Sequence, residues 1–159
     1  MARILVTGMS GAGKSSALNA LGARGYRVVD TDYGEWIEDV PGRERVWREE
    51  EMEALLRAHE QSGEPLIVAG TVRNQGRFYP RFDHVVLLTA PLPVLLDRVA
   101  RRTDNGFGKG DGERARIAAD TAEVEPLLRA SASVVIDTRE PLSAVVERLA
   151  ALAGPPPHP

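Results

Sequence analysis

Short unbroken apolar runs alternate along this chain with longer stretches whose apolar positions recur every three or four residues. Ile4-Leu5-Val6, Val28-Val29, Leu66-Ile67-Val68-Ala69, Val85-Val86-Leu87-Leu88 and Val134-Val135-Ile136 are the short runs. They are too brief for buried helices and mostly β-branched, so they predict buried strands over residues 3–7, 26–30, 66–69, 84–89 and 134–137. Helical spacing fills the intervals and predicts helices over residues 15–21, 43–61, 91–102, 114–130 and 142–152. Gly25, Pro41-Gly42 and Ser62-Gly63-Glu64-Pro65 punctuate the boundaries. Strand then helix, five times over, predicts an α/β fold: a five-stranded parallel sheet with helices on both faces.

Three stretches fall outside that rhythm. Residues 71–82 (Thr-Val-Arg-Asn-Gln-Gly-Arg-Phe-Tyr-Pro-Arg-Phe) have no clear period, and residues 103–110 contain three glycines and few core formers. The second stretch, joining two helices, reads as a flap that closes over a ligand, a small helical lid spanning about residues 102–114. Gly154 to Pro159 is proline-rich and reads as a disordered tail, leaving residues 1–153 as one domain.

Composition narrows the partners. The chain has 159 residues, 43% of them hydrophobic, and a net charge of −3, which argues against a general nucleic-acid or membrane-surface binder. It contains no cysteine, so neither a disulfide framework nor a thiolate site is available. No apolar run approaches the length of a membrane span and no signal-peptide pattern precedes the first strand, so a cytoplasmic protein is expected, a monomer with a dimer left open. Of twenty basic residues only Lys14 and Lys109 are lysines. A lysine kept in a chain that otherwise uses arginine suggests a need for a compact, flexible ammonium.

Lys14 supplies that need within Gly8-Met9-Ser10-Gly11-Ala12-Gly13-Lys14-Ser15, which fits G-x-x-x-x-G-K-[ST] without a mismatch. Such a loop turns its backbone N–H groups inward around phosphates, with the lysine on the β/γ-phosphates and the hydroxyl of Ser15 on Mg²⁺. A strand before it and a helix after it place a positive helix end against the anion. Gly8, Ser10, Gly11, Ala12, Gly13, Lys14, Ser15 and Ser16 are therefore expected to hold the nucleotide, ATP with Mg²⁺.

In an open parallel sheet ligands sit beyond the carboxyl ends of the strands, which brings other residues to the same crevice. Asp30 and Asp32 close the second strand two residues apart. Asp30 is expected to hold Mg²⁺ through water, and Asp32 to orient or deprotonate an acceptor hydroxyl; aspartates also suit strand ends as turn and cap residues. Gly70 closes the third strand, where it would allow close approach by a ligand, and Arg73, Asn74, Gln75 and Arg77 follow as candidate acceptor-recognition residues. Arg98 and Arg102, four apart, share a helix face, from which guanidinium groups can stack on a base or clamp phosphate oxygens. His84 opens a strand, on the side away from the crevice, and His158 lies in the tail; neither is a catalytic candidate.

Together these segments resemble the P-loop small-molecule kinases of the adenylate kinase and shikimate kinase superfamily. Gly8–Ser15 matches their Walker A loop, Asp30-Thr31-Asp32 is similar to the D-x-D of shikimate kinases, and Trp47-Arg48-Glu49-Glu50-Glu51 to their F-R-x-x-E. Arg98 to Arg102 resembles the R-x-x-x-R at the lid of nucleoside monophosphate kinases, and Val135-Ile136-Asp137-Thr138 with Pro141-Leu142 the adenine-side loop and last helix. The resemblance implies a sheet of order 2-3-1-4-5. It also implies Lys14, Asp32 and Arg102 as catalytic residues, Arg102 on the transferring phosphate, and Arg48 on an acceptor anion. Arg98 and Arg139 would hold the nucleotide, Arg98 packing on adenine. The chain departs from shikimate kinases at Ala69-Gly70-Thr71, where they carry a glycine triplet. The expected activity is ATP-dependent phosphoryl transfer to a small acceptor hydroxyl. A nucleoside monophosphate kinase and a non-catalytic nucleotide-binding regulator are the alternatives; a GTPase is disfavoured because no N-K-x-D or D-x-x-G switch is present.

Overall fold

Alternation within the first strand shows how the layers are built. Ile4 and Val6 of β1 (Arg3–Thr7) point into a core shared with α1 (Lys14–Ala23) and α5 (Leu142–Ala153), while Leu5 joins Trp47, Met52, Leu56 and Phe78 on the opposite face. Both faces of the strand are fully buried, which is why the run is apolar throughout. The structure, a computed structural model, describes residues 2–42, 44–101 and 111–156.

The sheet joins β1 to β2 (Arg27–Asp30), β5 (Leu66–Ala69), β6 (His84–Thr89) and β7 (Val134–Asp137), in the order β2-β5-β1-β6-β7 with every pairing parallel. Counted among the sheet strands alone, this is the expected 2-3-1-4-5. Its register aligns the strand ends that matter: Ala69 lies opposite both Val6 and Asp30. The Thr31 N–H donates to the Ala69 carbonyl at 3.0 Å and the Gly70 N–H to the Val6 carbonyl at 3.1 Å, so the ladder continues one residue into the loops. The helix α3 (Leu92–Ala100) starts after Pro91, whose fixed φ suits a helix entry, and α4 (Asp111–Ser131) runs slightly beyond the expected 114–130.

One expected helix is split. The stretch 43–61 is not helical throughout: β4 (Glu44–Trp47) pairs antiparallel with β3 (Ile37–Val40), and only α2 (Glu49–Ser62) is helix. The backbone N–H and C=O of Trp47 are both taken by the Asn74 carboxamide, at 2.8 and 3.0 Å, as the free edge groups of a strand can be. Trp47 is fully buried, and its indole N–H donates to Thr31 Oγ1 at 3.0 Å. Gly42, with φ of 79°, turns the chain between the two strands, and Arg48 is extended (φ −68°, ψ 106°). Glu49, Glu50 and Glu51 then sit in the first turn of α2, where the helix dipole favours negative charge.

Residues 75–81 of the aperiodic stretch form a 3₁₀ helix, Gln75–Arg81. Among the described residues no helix is long and apolar enough to cross a membrane. Most of the expected lid, with Arg102 and Lys109, lies outside the described residues, as does the end of the tail with His158.

Candidate active site

The phosphate loop is folded by steric demands that its glycines meet. Gly11 has φ of 86°, and a Cβ there would stand 2.6 Å from the Leu95 carbonyl oxygen, so α3 packs directly on the loop. Gly13, left-handed at φ 101°, is the N-cap of α1, and Lys14 is its first helical residue. The positive end of α1 thus faces the loop interior. Ala12 is buried, its N–H bonded to the Met9 carbonyl at 3.1 Å; Ser10 is partly buried, and Ser16 is exposed in the first turn of α1. The Lys14 ammonium donates to the carbonyl oxygens of Gly8 and Met9, the latter at 3.4 Å, which folds it over the mouth of the loop.

Beside it stands an oxygen pair. Ser15 Oγ donates to Asp30 Oδ2 at 2.6 Å, and Asp30 Oδ1 accepts the Asp32 N–H at 3.2 Å. One carboxylate therefore fixes both the hydroxyl at the start of α1 and the turn that presents Asp32. A hydroxyl and a carboxylate fit Mg²⁺, a hard cation that takes few protein ligands and keeps waters and phosphate oxygens.

Asp32 is half-exposed, 4.0 Å from Arg45 Nη2 of β4. Arg48, also half-exposed, stands 3.8 Å from Glu38 of β3. The hairpin and the residue after it thus place two arginines near Asp32 and Glu38. Arg45 was not singled out from sequence; only the strand pairing brings it to Asp32. The Arg73 N–H donates to the Arg45 carbonyl at 3.2 Å, tying the loop after β5 to the hairpin, and Arg73 itself is exposed. Arg77 pairs with Glu49 at 3.0 Å.

Asn74 and Gln75 point inward. Asn74 is 6% exposed: its Oδ1 accepts the Trp47 N–H at 2.8 Å, and its Nδ2 donates to the Trp47 carbonyl at 3.0 Å and to Glu49 Oε2 at 3.2 Å. The carboxamide serves Trp47 as a neighbouring strand would. Gln75 is 3% exposed, its Nε2 donating to Thr7 Oγ1 at 3.1 Å and Tyr79 OH at 2.9 Å and its Oε1 accepting from the Val72 N–H at 2.9 Å. Gly70 is likewise explained from within: a Cβ there would run into Thr31 Oγ1 and stand 3.1 Å from Trp47 Cζ2.

On the opposite flank Arg98 fastens the phosphate loop to the segment after β7. Its Nη1 donates to the Gly11 carbonyl at 3.1 Å and to Thr138 Oγ1 at 2.8 Å, and its Nη2 to the Thr138 carbonyl at 2.6 Å. Thr138, in the segment that resembles an adenine-side loop, is the residue that sets this guanidinium. Arg139 folds back on Asp137, with Nη2 to Oδ2 at 2.6 Å and Nε to both oxygens. Those side-chain bonds, helped by the Arg139 backbone N–H, hold the Asp137 carboxyl down at about 2. Both groups are exposed.

A family model described as an AAA domain matches residues 4–119. No curated protein sequence matches the chain at a significant level. Among solved structures the chain is similar to a shikimate kinase from Bacteroides thetaiotaomicron, 19% identical with a TM-score of 0.65, covering 94% of this chain and 97% of that one. A shikimate kinase from Acinetobacter baumannii in complex with shikimate is 18% identical with a TM-score of 0.61, covering 96% of this chain and 92% of that one. A gluconokinase from Sinorhizobium meliloti is 23% identical with a TM-score of 0.54, covering 95% of this chain and 93% of that one.

Proposed function

With the chain belonging to the AAA domain family and folded as P-loop kinases are, we propose that it is an ATP-dependent kinase that transfers the γ-phosphoryl group to a hydroxyl of a small acceptor. The observation that carries this reading is the double use of Asp30, which takes Ser15 Oγ with one oxygen and the Asp32 N–H with the other. A loop that only bound phosphate would need no such link to an outward carboxylate at the acceptor edge.

The roles follow from position. Backbone N–H groups of Gly8–Ser15 and the end of α1 cradle the phosphates, and Lys14 swings to the β/γ-phosphates. Mg²⁺ bound with ATP, next to Ser15 and through water to Asp30, would neutralise charge on the phosphate oxygens. Asp32 accepts the proton of the acceptor hydroxyl as its oxygen attacks the γ-phosphorus in line, and ADP departs on the far side. Arg98 braces the base-side wall with Arg139 beside it, and Arg45 and Arg48 hold the acceptor against Asp32. Arg102, outside the described residues, is assigned to the transferring phosphate.

The test is ADP release with Mg²⁺ and ATP across nucleoside monophosphates, shikimate, sugar acids and aminoglycosides, with Lys14→Ala as the blank. An acceptor that raises ADP release, lost in the blank, establishes the kinase. Asp32→Asn should then lower turnover by about 10²–10⁴ while ATP affinity is unchanged. A turnover loss below tenfold would remove Asp32 from the chemistry.

A further inference from the structure

The Gly8 carbonyl accepts two donors at once, the Lys14 ammonium and the Thr71 hydroxyl, the second at 2.6 Å. The Thr71 bond is the end of a chain whose direction can be read by counting hydrogens. Gln75 gives one amide hydrogen to Tyr79 OH and the other to Thr7 Oγ1, while its carbonyl oxygen takes the Val72 N–H. Thr7, fully buried and already accepting, has one hydrogen left, which points to Thr71 Oγ1 at 3.1 Å. Thr71 Oγ1 also accepts the Gly8 N–H at 3.2 Å, so its single hydrogen goes to the Gly8 carbonyl. Gln75, Thr7 and Thr71 are thereby each satisfied in one orientation only.

We infer that Thr71 is a positioning residue that lets Lys14 leave the Gly8 carbonyl for the nucleotide. The inference rests on the kinase reading, in which Lys14 must move to the phosphates. Gly8 is buried, so when the ammonium departs, its carbonyl keeps a partner only because Thr71 supplies one. With valine at 71, Lys14 still satisfies that carbonyl in the free protein and leaves it orphaned in the complex. The penalty therefore falls on the nucleotide-bound state. The lost bond from the Gly8 N–H, by contrast, weakens free and bound protein alike. Thr71 also begins the segment that carries Arg73 and Arg77, so the acceptor side of the crevice is joined through one hydroxyl to the first peptide of the phosphate loop.

The test is ATP titration of the full chain by calorimetry. Leaving a buried carbonyl unpaired costs on the order of 1–3 kcal/mol, so Thr71→Val should raise the Kd for ATP roughly 5- to 150-fold, and Thr71→Ser, which keeps the hydroxyl, should stay within about threefold of wild type. In a Lys14→Ala background no ammonium leaves the carbonyl, and Thr71→Val should add less than about twofold. An unchanged Kd in Thr71→Val, or an equal loss in the Lys14→Ala background, overturns the inference. If wild type does not bind ATP, the kinase reading falls and takes the inference with it. Hydrogen exchange on wild type gives a check without any variant: the Gly8 amide, bonded to Thr71, should stay protected when ATP is added, and its exposure on binding would be equally fatal.

Discussion

Replacing Asn74 by alanine separates two roles for this residue, recognition of an acceptor and support of the hairpin. The carboxamide makes both of the hydrogen bonds by which it joins the Trp47 peptide groups, at 2.8 and 3.0 Å, in a place 6% exposed. Alanine leaves a buried N–H and a buried C=O without partners, at about 1–3 kcal/mol each, so the expected loss is about 2–6 kcal/mol. Against a typical stability of about 5–15 kcal/mol this is a large fraction. For a chain of this size each kcal/mol moves the melting temperature by about 2–4 °C, giving a fall of roughly 4–24 °C by calorimetry. Asn74→Asp keeps the acceptor for the Trp47 N–H but turns a carboxylate toward Glu49, the present partner of Nδ2 at 3.2 Å. It should be at least as destabilised at neutral pH and recover in part on acidification, because burial and the facing carboxylate both favour the protonated form of the new carboxyl. A melting temperature within about 2 °C of wild type in Asn74→Ala, with a weakened acceptor KM, would refute this reasoning and make Asn74 a recognition residue.

Other outcomes follow from the same geometry. Gly11→Ala drives a methyl to within 2.6 Å of the Leu95 carbonyl at a φ of 86°, so α3 must shift and ATP binding, read by titration, should fall at least tenfold. Arg139→Gln removes the guanidinium bonds that do most to hold the Asp137 carboxyl at about 2, leaving only the backbone N–H, and its pKa, followed by NMR, should rise toward the ordinary 3.8. Because the folded value is the lower one, whatever stability this pair contributes is present above the ordinary value and lost as pH falls toward 2. The variant should therefore lose acid dependence in that window, and a carboxyl that still titrates near 2 would show another cause. Arg102→Ala should lower turnover by about 10³–10⁵ if it carries the role of an arginine finger, and a drop below tenfold would exclude it.

The three central strands were legible because each is a run buried on both faces, the edge strands β2 and β7 because their short runs are β-branched, and the phosphate loop because its chemistry is local: eight consecutive residues hold all of it. The hairpin was not legible, because what makes Glu44–Trp47 a strand lies elsewhere in the chain. Trp47 is held by Thr31 and Asn74, 16 and 27 residues away. The same distance in sequence hides the inward turn of Asn74 and Gln75, which follow a strand end as ligand-facing residues would. Arg45 went unnoticed for a related reason: only the pairing of β3 with β4 carries it toward Asp32. Conversely, Asp30 could be read from sequence because it closes a strand that must end beside the phosphate loop, and its bond to Ser15 needs nothing beyond that register.

Among the described residues the hairpin of β3 and β4 shares no ladder hydrogen bonds with the five-stranded sheet. Side-chain and loop contacts tie it to the body instead: Trp47 to Thr31 and Asn74, Arg45 to Asp32 and the Arg73 N–H, with Trp36 and Ile37 packed on the core beside Trp47. Such an insert can accumulate changes at its tip, or be exchanged for another of the same span, without altering how the sheet or the phosphate loop folds. One wall of the crevice is thereby free to diverge while the phosphate loop is inherited intact, and on the kinase reading that would let a single scaffold acquire new acceptors in small steps.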